Sequence, residues 1–436
     1  MAKSNSDIHK NNWFFLFRRS NGKLYVILFV LFYLFNFSLG AERIDVYKNY
    51  AYAYGSLLAF FYFIRVISLG KIIIDKKFLY FFIAIQYFTV VFGLFNGTLL
   101  PPFVNAGHQV MFLVIFGGVF ILYDFDRISF TRFFCNQIIL ITTLSLVFAF
   151  YGFMFGSFSF GPFFYLAQER FAFSFDGWYD GKNYLGAALA IGAIVLLFKL
   201  LNSILFTLSF HQRIWLFLLF ILHIVGIILS GSRGSYVSFV IGLLVLLIFQ
   251  QKLVSFRIKH IIYGFIFISL LFYAVFSIFV KLDFDWAMVE SYFIRYEQLE
   301  RYQQGGERVG LWSTAFRFIK EANILEFLFG HGIGYYKEKV GHAAHSGYIE
   351  LFIGRGMIVF SLFLYLLYYS FKRSIKINNQ LNIGTLTMSL LSLIVAKNIV
   401  NAEIPTNNFP GIVFVFILVL LFFKSRDSAN IQQCKL

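Results

Sequence analysis

Hydrophobic positions along this chain come in long pulses separated by short polar breaks. A helix needs about 20 mostly apolar residues to cross a bilayer core, and it satisfies its own backbone hydrogen bonds in doing so. Runs of roughly that length fall near 24–40, 50–69, 78–95, 104–122, 133–155, 184–201, 214–230, 234–250, 260–280, 346–370, 383–400 and 409–423. They predict an all-α, polytopic integral membrane protein of about 12 transmembrane helices. One stretch breaks the rhythm: residues 283–345, between the ninth and tenth runs, mix charge, aromatics and glycine. No Pro-rich or Ser-rich linker and no internal repeat divides the chain, so 1–436 reads as a single transmembrane domain.

The polar breaks alternate in charge. Lys3, Lys10, Arg18, Arg19 and Lys23 precede the first run, and basic breaks recur at Lys71, Lys76 and Lys77, at Arg127 and Arg132, and at Lys199 and Arg213. The alternation continues with Lys252, Arg257 and Lys259, then Lys372, Arg373 and Lys376, then Lys424, Arg426 and Lys435. Short cationic loops stay in the cytoplasm, which predicts cytoplasmic termini and places 283–345 on the outer face. Ser38-Leu39-Gly40 before Ala41 gives the N-terminus the layout of a signal peptide. The unbroken charge alternation makes it an uncleaved first span.

Composition supports the membrane reading: 59% of residues are apolar and only 13% charged, against roughly 25% charged in soluble domains. The net charge of +16 belongs mostly to the cytoplasmic breaks, where it serves topology and anionic headgroups, so no nucleic-acid partner is expected. Cys135 and Cys434 both fall outside the outer loops, which leaves no disulfide to staple that face.

Candidate chemistry gathers at the outer boundary. Arg308, Trp312, Ala315, Phe316 and Ile319 recur at helical spacing, with Arg317 opposite, as in a helix lying on a membrane surface; Gly305-Gly306 before it is a hinge candidate. Ser230-Gly-Ser-Arg-Gly-Ser235 puts Arg233 among small residues between two spans, where it either binds a ligand or caps a turn. His345 and Ser346 open the tenth span, whose free N–H groups attract anions; His345 is either a base or a cap. His331, His342 and His345 form a possible metal trio, but no acid or cysteine is spaced to complete it, and no metal or other cofactor is assigned. Glu350 and Arg355 read as structural residues that pair with one another or with a neighbour, and Lys397 and Glu403 likewise. A second outer loop, about 156–183, carries Arg170, Asp176, Asp180 and Lys182 and is expected to face the first.

These pieces together resemble the bacterial O-antigen polymerase and O-antigen ligase family, of the Wzy and WaaL type. The resemblance covers roughly 165–365. It runs through Arg170, Phe175-Asp176 and Asn183-Tyr184-Leu185-Gly186, the SGSRGS turn, and Arg308 with Trp312. It continues through Phe329-Gly330-His331-Gly332-Ile333-Gly334 and His345-Ser346-Gly347-Tyr348-Ile349-Glu350-Leu351, ending on Gly354-Arg355-Gly356. Many members have Asn where this chain has Ser346, which puts in doubt an amide contact to the acceptor.

The resemblance implies a GT-C-like membrane glycosyltransferase in the bacterial inner membrane, with its active site on the periplasmic face and 283–345 supplying part of it. It also implies an undecaprenyl-diphosphate-linked oligosaccharide donor, a sugar-hydroxyl acceptor, and a chain-length regulator as a partner. On that reading Arg233, Arg308 and His345 are catalytic, and Arg170, Asp176, Asn183, Trp312 and Tyr348 bind substrate. Arginine forks match phosphate oxygens, and fixed cations can stabilise a diphosphate leaving group without a metal. Polymerase and ligase both remain open here. A lipid-linked oligosaccharide flippase is the alternative of another class, although transporters commonly show repeat symmetry and polar residues at the bilayer midplane.

Overall fold

The computed structural model describes residues 74–95, 100–122, 127–155, 158–160, 164–166, 182–203, 206–230, 232–250, 307–341, 344–378, 382–400 and 409–423, with a few positions between 56 and 64. At some of these only the backbone is described. The expected spans near 24–40 and 260–280, and most of that near 50–69, lie outside the described residues.

Nine apolar runs appear as helices: α1 (Lys76–Phe95), α2 (Leu100–Leu122), α3 (Arg127–Phe155), α4 (Lys182–Leu201), α5 (Phe210–Leu229), α6 (Arg233–Gln250), α10 (Gly347–Asn378), α11 (Ile383–Val400) and α12 (Phe409–Phe422). Among the described residues, five stretches are long and apolar enough to cross a membrane, within α1, α3, α5, α6 and α10. Apolar stretches within α2, α4, α11 and α12 are shorter. Among the described residues between α6 and α10 are three further helices, α7 (Glu307–Glu321), α8 (Ile324–Phe329) and α9 (Tyr335–Val340). The all-α expectation needs one amendment. Strands β1 (Phe158–Phe160) and β2 (Phe164–Leu166) form a hairpin after α3, with Ser159 opposite Tyr165.

Burial sorts the helices into an inner set and a lipid-facing set. From Leu185 to Leu196, nearly every described side chain of α4 is fully buried, and the same holds for Val413 to Phe423 in and just after α12. By contrast α5 and α6 leave large apolar side chains exposed, including Trp215 at 67%, Val237 at 59% and Ile248 at 59%. Lipid is as apolar as those side chains, so no hydrophobic gain drives the inner helices together. Close backbone approach does so instead. At Gly186 of α4, an added Cβ would lie 2.7 Å from Ser230 Oγ and 2.6 Å from Ser235 Oγ, so glycine lets α4 seat directly against the turn before α6.

Two polar clusters mark opposite ends of the bundle. At one end Arg127 Nη2 donates to Phe423 O (3.3 Å) and Arg373 Nε to Leu421 O (3.3 Å), which places cations on the carbonyl end of α12. Asn202 Oδ1, at the same end, accepts from Gln250 (3.1 Å) and Asn382 (2.7 Å). At the other end Asn183, Ser232, Ser235 and Lys397 form a buried network. The basic breaks at Arg127 and Arg373 thus share one end, and Arg233 and His345 share the other.

The tenth run is not one continuous helix. Gly356 has φ 73° and ψ 176° and breaks α10 nine residues in. The loop after α8 straps the break. His331 N–H donates to Ile353 O (2.8 Å) and Gly332 N–H to Gly354 O (3.1 Å). Gly330, at φ 80°, and Gly356 approach so closely that an added Cβ on Gly330 would lie 2.5 Å from Gly356 N. The two glycine motifs of the sequence therefore meet as two halves of one joint. Both glycines occupy a backbone region costing about 1–3 kcal/mol for any other residue. Gly356→Ala is expected to lower the melting temperature of detergent-purified protein markedly, whereas Gly310→Ala, with open space around its Cα in α7, leaves it unchanged or raised. Equal melting temperatures for the two variants would contradict the joint.

Candidate functional site

The SGSRGS turn presents its arginine outward by turning its serines inward. Ser230, Ser232 and Ser235 are buried, while Arg233, the first residue of α6, is exposed. Ser230 Oγ donates to Ile227 O (2.7 Å) and accepts from Ser232 N–H (3.3 Å), which stabilises the end of α5. Ser232 Oγ donates to Asn183 Oδ1 (2.9 Å), and Ser235 Oγ donates to the Asn183 carbonyl (3.3 Å). These serines stabilise the turn that carries Arg233.

His345 stands before α10 with φ 51°, one of two non-glycine residues with positive φ among those described. That left-handed conformation costs an L-residue roughly 1–2 kcal/mol, so the surroundings must hold it in place. Several groups do so. The Glu350 carboxylate accepts the backbone N–H groups of Ala344 and His345, and Trp312 Nε1–H of α7 donates to Ala344 O (2.9 Å). Tyr348 donates to Val395 O (3.2 Å) of α11. Asn398 packs against Gly347. The histidine is left exposed at a helix N-terminus.

These placements refine several sequence expectations. Trp312 turns into the protein and tethers α7 to the His345 turn. The buried face of α7 is formed by Ala315 with Phe318 and Ile319, packed near Tyr336, Ala344 and Ile353. Phe316, expected on that stripe, is instead 57% exposed, because it lies about 100° around the helix from Ala315. Glu350 and Arg355 have separate partners: Arg355, buried at the α10 break, donates from Nη1 to Thr89 Oγ1 of α1 (3.1 Å). Lys397 donates to Ser232 (3.2 Å) and Ser235 (2.9 Å), and Glu403 lies outside the described residues. Arg308 sits in the first turn of α7, one turn before Trp312, with only its backbone described. Arg170, Asp176, His342 and the Gly305-Gly306 hinge candidate lie outside the described residues.

His331 stacks on Tyr335, with ring centroids 4.6 Å apart, and its Nδ1 lies 3.8 Å from Glu326 Oε1. Burial lowers its pKa from the usual histidine value, with Glu326 acting in the opposite sense.

Consecutive residues of α11 link the two exposed groups. Lys397 holds the turn that carries Arg233, and Asn398 packs behind the turn that carries His345. Residues 216–364 match the family model described as O-antigen ligase. The match begins within α5 and ends within α10, so it includes the Arg233 turn, α7 and the His345 turn. It is narrower than the resemblance over 165–365: Arg170, Asp176 and Asn183 lie before it. No curated protein matches the chain. The long apolar helices make this a helical membrane protein, and the family model that matches 216–364 does not separate ligase from polymerase.

Sequence reasoning missed the roles of Glu350, Asn398 and Lys397. Polar residues in apolar helices were the available signal, but their partners lie on distant segments. Glu350→Leu is expected to destabilise the protein by about 1–3 kcal/mol, because the Ala344 and His345 N–H groups lose their acceptor. Thermal unfolding of purified protein checks it, with a wild-type melting temperature as the contrary outcome. His331 gives a pH prediction. Its lowered pKa means the unfolded chain binds more protons as pH falls below about 6.5, so stability declines from there down to the lowered folded value and then levels. His331→Phe removes that part of the acid-side decline in melting temperature.

Proposed function

We propose that this protein is a polymerase that transfers a growing glycan from undecaprenyl diphosphate to a sugar hydroxyl of an incoming lipid-linked repeat unit. The observation that carries this reading is the pairing of Arg233 and His345. Both are exposed, at helix N-termini at one end of the bundle, and both lie within the matched domain. A helix N-terminus and a guanidinium both favour a diphosphate, and their charge counts for more at a boundary of low dielectric.

In the reaction the acceptor oxygen attacks the anomeric carbon as the bond from that carbon to the diphosphate oxygen breaks. Undecaprenyl diphosphate leaves with the bonding pair. Arg233 and Arg308 stabilise the charge that develops on it, with Arg170 assisting. His345 orients the acceptor hydroxyl and takes its proton, acting as a general base at the pH where imidazole is neutral. A single displacement inverts the anomeric configuration. Asp176, Asn183, Trp312 and Tyr348 line or support the sugar-binding region; for Asn183 and Trp312 support comes through the hydrogen bonds to Ser232 and Ala344.

This reading puts the site on the periplasmic face of the inner membrane and both termini in the cytoplasm. The charge alternation supports that orientation, as does the gathering of Arg127 and Arg373 at the end away from Arg233. A chain-length regulator is a partner this reading expects. Ligation to lipid A-core is the second reading, favoured by the description of the matched family model as an O-antigen ligase.

Purified protein given lipid-diphosphate repeat units is expected to build long chains with a chelator present. Arg233→Ala, Arg308→Ala and His345→Ala are each expected to lose about 100-fold or more, the scale on which electrostatic and acid-base groups act. Wild-type rates in all three would refute the site. A deletion strain that carries single repeats on lipid A-core supports polymerase; long chains stranded on the carrier support ligase.

A further inference from the structure

Lys397 is fully buried in α11, outside the segment matched by the family model. Its ammonium donates to Ser235 Oγ at 2.9 Å and Ser232 Oγ at 3.2 Å. These two serines stand one residue before and two residues after Arg233. Each passes the interaction on to Asn183 of α4: Ser232 Oγ donates to the side-chain oxygen (2.9 Å) and Ser235 Oγ to the backbone carbonyl (3.3 Å). The two hydroxyls also bond each other at 2.8 Å, so the ammonium, both serines and Asn183 form one connected network. Three helices, α4, α6 and α11, are tied at the residue pair that brackets the exposed arginine.

A buried ammonium is costly, and a well-packed apolar residue in its place is often as stable or more so. Removing it here leaves the hydroxyls their bonds to Asn183, so the turn keeps those partners without the charge. Lys397 lies in the last turn of α11, whose dipole favours a cation, and beside the positive end of α6, whose dipole opposes one. The residue after it, Asn398, packs against Gly347 behind the His345 turn. We propose that Lys397 is a positioning residue: it fixes the Arg233 turn against α11, and thereby in register with the His345 turn, so that arginine and histidine meet one lipid-diphosphate glycan together. Lys397 does not touch substrate. The inference rests on the reading of Arg233 as a diphosphate ligand.

The test uses the full-length protein in nanodiscs, with binding of undecaprenyl diphosphate and transfer from a lipid-diphosphate repeat unit as readouts. Lys397→Met, close in volume, is expected to keep the melting temperature while weakening binding and slowing transfer, on the order of 10-fold or more, as a loosened ligand geometry does. In an Arg233→Ala background the same change is expected to weaken binding less than about 2-fold further, because residues acting through one another are not additive. Equal losses in both backgrounds, or wild-type behaviour of folded Lys397→Met, overturn the inference and leave the reading of Arg233 standing. Wild-type binding and transfer by Arg233→Ala instead overturn that reading. If Lys397→Met fails to fold, Ser235→Ala decides. It keeps the charge and removes the shorter contact, so a several-fold weakening confined to the Arg233-containing background supports the inference, and unchanged binding overturns it.

Discussion

A backbone inside a bilayer cannot leave its polar groups unpaired, and the rest of the site depends on how this chain meets that constraint where α10 breaks. At Gly356 the helix interrupts its own hydrogen-bond ladder. The loop through Gly330, His331 and Gly332 restores bonding by donating to Ile353 and Gly354. Such an interruption is tolerated at membrane depth only when protein covers it. Once the loop is tied there, α7, α8 and α9 are held against the outer part of α10, and Trp312 can reach Ala344.

The same economy governs the other half of the site. Small residues on α4 let the Ser230–Ser235 turn sit close, and once inside, its hydroxyls need partners. Asn183 and Lys397 supply them. Arg233 faces outward because the rest of its turn faces inward. Two exposed groups, one from α6 and one before α10, are thus held by buried polar contacts on either side of two consecutive residues of α11.

Much of this was legible in the chain. The apolar pulses fell on all nine described apolar helices, because a span's length and composition are set by the solvent it crosses, although α3 starts six residues before its pulse and α10 runs eight residues past its own. The SGSRGS, Gly-His-Gly and His-Ser-Gly motifs pointed to the family over the segment where its model matches. Less legible were the partners. Pairing Glu350 with Arg355 is reasonable from spacing alone, yet one reaches back to the His345 turn and the other across to Thr89 of α1. Phe316 fitted a helical stripe, but only packing decides which flank of a stripe is covered.

The sequence by itself determined that this is a helical membrane protein, where its helices run, and which residues are chemically unusual for such an environment. Those properties follow from local composition against a fixed solvent. The tertiary structure decided that α10 is broken and strapped, that Trp312 and Glu350 hold the His345 turn, and that Lys397 holds the turn of Arg233. Each of these depends on contacts between segments far apart in the chain, and hydrogen-bond partners at that distance leave no periodicity to read.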